Sequence, residues 1–129
     1  MLDHDAYRSY QAVNLSAQTV QASPVQLVIV LMDGLLEELA RARAHIDGKR
    51  HELKARSLDK CVQILWGLSS ALDTDSDSEV VQNLGRLYEH CADRLTQAGI
   101  RLEVGLVDEV TELITTLRGG WQGVQARHG

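Results

Sequence analysis

Ser23-Pro24-Val25-Gln26-Leu27-Val28-Ile29-Val30-Leu31-Met32-Asp33-Gly34 decides the fold class of this 129-residue chain. Its opening reads as a helix start: Ser23 as N-cap, Pro24 at the first helical position, Gln26 completing a capping box. Proline is tolerated there because the N–H it lacks would have no partner in the first turn, and the chain carries no other proline. Behind this start Val28, Leu31, Leu35, Leu39, Ala42 and Ile46 recur at three- and four-residue steps, predicting one buried face of a helix over residues 24–46. Asp47-Gly48-Lys49 supplies the stop, with Gly48 suited to the left-handed conformation that closes many helices.

The same period continues outward. Lys54, Leu58, Cys61/Val62, Leu65, Leu68 and Leu72 form a second stripe, ended by the polar cluster Asp73-Thr74-Asp75-Ser76-Asp77-Ser78. Ser76 with Glu79 is a second candidate capping box. Val80, Leu84, Leu87/Tyr88, Cys91, Leu95 and Ala98 make a third stripe, stopped at Gly99. Leu106/Val107, Val110, Leu113/Ile114, Leu117 and Trp121 make a fourth, weakened at its end by Gly119-Gly120, with Trp121 as a structural plug. Nothing alternates with period two. Four long stripes joined by short turns predict an all-α, antiparallel up-down four-helix bundle over residues 23–129. Residues 1–22 differ: Tyr7, Tyr10 and Val13 give a short amphipathic pattern too poor in large apolar groups to stand alone. They form a cap segment that either packs onto the bundle or stays mobile.

Composition removes several classes of function. Thirteen Lys+Arg face eighteen Asp+Glu, and a net charge of −5 with so few lysines leaves no basic stripe for nucleic acid. The two cysteines make no Cys-x-x-Cys pair and no disulfide framework, and are expected as buried free thiols. Ser9 through Met32 is free of charge, but it holds Pro24 and many Ser, Thr, Asn and Gln residues, and its longest apolar run is Leu27 to Met32. A spanning helix needs about 20 mostly apolar residues, so no membrane insertion is expected and the location is read as cytoplasmic.

Catalytic and metal chemistry find no footing either. Asp73-Thr74-Asp75-Ser76-Asp77 imitates the start of a calcium loop, then places Ser78 where glycine is needed and Leu84 where a bidentate glutamate is needed. His45 is the one position that invites comparison with phosphotransfer bundles, but Asp47 beside it would repel a phosphoryl group. No His pair stands four residues apart, and no Ser/His/Asp order or phosphate loop is visible. Neither an enzyme nor a cofactor or metal is expected.

What remains is a surplus of apolar side chains. A bundle helix needs about three apolar positions in seven. Six in a row, Leu27 to Met32, wrap the whole helix, so Leu27 and Val30 should lie outside the main stripe, and Ile64 and Trp66 should flank that of the second helix. The N-terminal segment covers this excess, or an apolar groove remains for a partner helix; a removable cover would serve both. Gly34, Gly67 and Gly85, inside helices where each costs about 1 kcal/mol, fit close approach of another helix, within the bundle or from a partner.

Tyr7-Arg8-Ser9-Tyr10-Gln11, Ala22-Ser23-Pro24 through Asp33-Gly34, Asn83-Leu84-Gly85-Arg86-Leu87-Tyr88 with Arg94-Leu95, and the late Trp121 together resemble the bacterial flagellin export chaperone family FliS. The ordered set covers nearly the whole chain. Met32, His90, Cys91 and Gly99 depart from the family's usual residues, Gly99 standing where asparagine is common. The resemblance implies a cytoplasmic chaperone that holds the disordered C-terminal region of flagellin as helices in apolar grooves, prevents premature polymerisation and helps deliver it to the flagellar export gate. The apolar surplus puts the binding site on Leu27, Val30 and Leu31 and on Ile64 and Trp66, with Leu84, Leu87 and Tyr88 as further contributors whose first job is core packing. Tyr7 and Tyr10 would be the displaceable cover, and Asp33 would cap or pair within the bundle. Two other classes stay open: a scaffold or regulator binding a different amphipathic helix, and phosphotransfer through His45. A monomer and a weak homodimer fit equally well.

Overall fold

Ser23 caps the first helix as its side chain dictates. Its hydroxyl accepts the Gln26 backbone N–H at 3.1 Å, while the Gln26 side-chain carbonyl accepts the Ser23 N–H at 2.7 Å. From this box the computed structural model, which describes residues 23–72 and 77–128, runs through four helices: α1 (Pro24–Asp47), α2 (His51–Ser70), α3 (Glu79–Arg101) and α4 (Val104–His128). No strand occurs among the described residues. The expected cap segment, with Tyr7 and Tyr10, lies outside them, as does Ser76.

The helices form a ring in which α1 packs on α2 and α4, and α3 packs on α2 and α4. Cross-helix pairs fix the antiparallel sense. Arg43 meets Asp108, and Asp33 meets Arg118, so a step backward along α1 is an equal step forward along α4. Lys54 near the start of α2 likewise reaches the Gly99 carbonyl near the end of α3, at 3.0 Å. The all-α four-helix bundle read from the sequence is the fold observed.

Met32, Leu35, Leu39 and Ala42 of α1 are wholly buried, against Cys61, Leu65 and Leu68 of α2, Tyr88, Cys91 and Leu95 of α3, and Val107, Val110 and Ile114 of α4. Each fully buried side chain of Leu size contributes about 1.5–3 kcal/mol, which makes this interior the main source of stability. The inward face of α1 differs from expectation at its start, where Ile29 and Met32 are buried and Val28 and Leu31 are half-buried at the shoulder. Met32, Leu35, Leu39, Ala42 and Ile46 alternate steps of three and four, the spacing that tracks a nearly aligned neighbour; counting from Leu31 gives two four-residue steps in succession and drifts off the seam. On α2, Ile64 is a core residue at 5% exposure, not a flank of the stripe, while Val62 is the half-buried one.

The helix ends correct the reading further. Gly48 is right-handed (φ −82°), and Lys49 takes the left-handed turn at φ 57°. Gly48 has a different use. Arg50 folds back over it, donating to the Ala44 carbonyl at 2.9 Å and to His45 Nδ1 at 3.0 Å, through space a side chain on Gly48 would fill. Gly99 does not stop α3, which continues to Arg101 and closes on a left-handed Leu102 (φ 58°). Gly99 lets α3 approach α2 instead, since a Cβ there would stand 3.0 Å from Leu58 Cδ1. The N-cap of α3 is Ser78, two residues beyond the expected Ser76, and α4 runs through Gly119-Gly120 to His128.

Candidate partner-binding surface

Helix α1 opens with more apolar side chains than the interior accepts. Ile29 and Met32 are buried, Val28 and Leu31 rest against the core, and Leu27 and Val30 are half-buried without packing on it. Four positions in six therefore fall on or outside the shoulder of the bundle, because consecutive residues on a helix point about 100° apart. Asp33, one step on, pairs with Arg118 of α4; the guanidinium donates through both Nε and Nη2, the latter at 3.4 Å, and the carboxylate raises the arginine pKa further. This ion pair ties the apolar start of α1 to the second half of α4.

Between α3 and α4 lies a cleft of about 520 Å³ with Leu87, Leu113 and Leu117 as its apolar lining and His90, Glu109 and Glu112 on its rim. Arg94 donates to Glu109 at 2.9 and 3.2 Å and His90 stands 3.5 Å from the same carboxylate, so Glu109 titrates below the usual carboxylate range, chiefly through the Arg94 hydrogen bond. A second cleft, of about 290 Å³, runs between α2 and α3 along Leu58, Val62 and Leu95 to Ile100, which is 70% exposed. Trp66, half exposed, lies four residues beyond Val62 on the same helix face and extends this apolar strip.

The residues named from the sequence thus separate. Leu27, Val30, Trp66 and Leu87 lie outside the core, Leu31 and Leu84 rest against it, and Ile64 and Tyr88 belong to it. Burial pushes the Tyr88 phenol up to about 12, with the Trp121 indole N–H beside it acting in the opposite sense. Trp121 is half-buried against the core, consistent with a plug at that end of the bundle. Tyr7 and Tyr10 lie outside the described residues. Val62, Ile100, Leu113 and Leu117 were not singled out for binding. For Val62 and Leu113 the signal was the doubled apolar position, as in Leu113-Ile114, where the second residue is core and the first faces the cleft; Ile100 and Leu117 carried no such signal.

Chemical groups for anything but apolar recognition are sparse. No group of three or more His, Cys, Asp or Glu that could hold a metal occurs among the described residues. Cys61 and Cys91 are free and buried; burial pushes the Cys61 thiol up strongly and the Cys91 thiol up to about 11, which removes both as nucleophiles at neutral pH. His45 accepts from Arg50, a contact a phosphoryl acceptor would have to give up. No described helix is long and apolar enough to cross a membrane.

Comparison with known proteins shows what the chain as a whole is similar to. The family model described as "Flagellar protein FliS" matches residues 6–128. The flagellar secretion chaperone FliSB of Pseudomonas aeruginosa is 37% identical over 119 residues, covering 92% of this chain and 94% of that protein. The flagellar secretion chaperone FliS of Escherichia coli is 34% identical over 116 residues, 89% of this chain and 85% of that protein. The flagellar secretion chaperone FliS of Bacillus subtilis is 28% identical over 134 residues, 100% of this chain and 96% of that protein.

Proposed function

Because the chain belongs to the FliS family of flagellar proteins, we propose that it is a flagellar secretion chaperone, not an enzyme, and that its client is the C-terminal segment of flagellin, bound as amphipathic helices. The observation that carries this reading is the start of α1, where Leu27 and Val30 lie outside the core of an otherwise well-packed bundle. Leu31 on the same helix, Trp66 on α2 and the Leu87 cleft between α3 and α4 supply further apolar contact.

The mechanism is competition for surface. A flagellin terminal helix that lays its apolar face on the chaperone no longer presents that face to another flagellin. Ordering the client opposes binding, so a large contact area is needed, and the net affinity is left moderate enough for release at an export gate in the cytoplasm. No phosphate site is needed, since apolar burial drives capture and a competing surface drives release.

Binding of a synthetic flagellin C-terminal peptide, followed by circular dichroism for a gain in helix, tests the reading. Val30→Asp should weaken capture at least tenfold while the free protein keeps its helicity and solubility. Full binding by that variant, or absence of binding by the unsubstituted protein, would contradict the proposal.

A further inference from the structure

The last third of α4 is helical against its own composition. Gly119, Gly120 and Gly123 fall within five residues of its interior, and a Cβ at any of them would meet nothing within 4 Å. No neighbouring helix presses on these positions, in contrast to Gly99 against Leu58. A glycine weakens a helix about fivefold relative to alanine, so three of them weaken these turns roughly a hundredfold.

The ion pair and the core contact that hold the segment are concentrated at its near end, and beyond them Val124 is only half-buried. Arg118 pairs with Asp33 just before the glycines, and Trp121 packs against the core next to the Tyr88 hydroxyl. Beyond Trp121, among the described residues, no ion pair or side-chain hydrogen bond joins the helix to another element. Since Asp33 lies opposite Arg118 in antiparallel register, the turns after Trp121 run alongside the stretch of α1 that precedes Asp33, which contains Leu27 and Val30.

We propose that residues 119–128 are a releasable arm, hinged at Gly119-Gly120 and latched by Trp121, whose detachment opens a slot beside the start of α1 for a client helix. The departing arm carries Trp121 and Val124 three residues apart, so the helix that takes its place is one with apolar residues at i and i+3. The inference rests on the flagellin reading for what enters the slot, and not for the arm itself. Because only the open form admits the client, its rate of entry follows the open population.

The test compares the unsubstituted protein with G119A/G120A/G123A and with Trp121→Ala, by amide hydrogen exchange and by the association rate of a labelled flagellin C-terminal peptide. In the unsubstituted protein, amides of residues 119–128 should exchange faster than those of the middle of α4. The triple alanine variant should slow their exchange, and peptide association, at least tenfold; Trp121→Ala should speed both. Unchanged exchange in the triple variant overturns the hinge. Slowed exchange with unchanged association overturns the gate. If no variant takes up the peptide, the flagellin reading and the gate fall together, while the exchange comparison alone still decides whether the arm exists.

Discussion

Cys61, Cys91 and Tyr88 occupy the interior with ionisable groups that must stay protonated, because an anion there would lose its water, a loss that the Trp121 N–H beside Tyr88 offsets only in part. Burial raises Cys91 from 9.0 to about 11 and Tyr88 from 10.0 to about 12. The native state then holds protons that the unfolded chain releases. Their contribution to stability is complete below about pH 9 and is lost as pH rises through 11 to 12. The urea midpoint should fall across that window, and less steeply in Tyr88→Phe. At neutral pH neither thiol should react with a disulfide reagent until the protein unfolds. Glu38 is the residue the apolar pattern did not flag. It is buried between α1 and α2, 3.0 Å from Arg41 and 3.8 Å from Lys60, whose own side chains are 58% and 38% exposed. Those cations can return to water, so Glu38→Met should leave stability unchanged or raise it by about 1 kcal/mol, as measured by denaturant unfolding.

The start at Ser23 was more legible than the helix ends, or than the start of α3, whose N-cap is Ser78 and not Ser76. Ser23 could be read because a capping box is local chemistry between a hydroxyl, an amide and two backbone N–H groups. The stop at Asp47-Gly48-Lys49 was rightly placed and only its left-handed residue misassigned, whereas the end of α3 was misread at Gly99; the left-handed positions fall on Lys49 and Leu102, which the geometry of the connections imposes on residues with no local preference for it. Glycine within these helices marks opposite circumstances, and only packing tells them apart. Gly99→Ala should lower stability by up to about 1 kcal/mol, since the new methyl group would stand 3.0 Å from Leu58 Cδ1 and that side chain would have to shift toward the α2–α3 cleft. Gly120→Ala should raise it by up to about 1 kcal/mol, since nothing obstructs the new methyl group. Thermal unfolding of the two variants side by side checks both signs. Ile64 was placed outside the stripe for a related reason: α2 touches both α1 and α3, so its buried face is wider than a single stripe and takes in Ser57, Leu58, Cys61, Ile64, Leu65 and Leu68.

At the scale of the molecule, the bundle and its apolar excess could be read from period and count, whereas the clefts could not, because a cleft exists only between two helices whose rotation is set by the rest of the core. Polar ties are also unevenly shared. Two cross-helix ion pairs, Arg43 with Asp108 and Asp33 with Arg118, stitch α1 to α4. Exposed pairs of this kind contribute at most about 1 kcal/mol each, so Asp108→Asn should shift the thermal midpoint by only a few degrees and should do so less at high salt. The box at Ser23 has one more effect. Two interlocked hydrogen bonds at the first turn of α1 act as a mechanical stop, like the whipping on a rope's end. Such a cap contributes about 1 kcal/mol, so the first turn of the helix carrying the greasy handhold frays less readily than an uncapped one would.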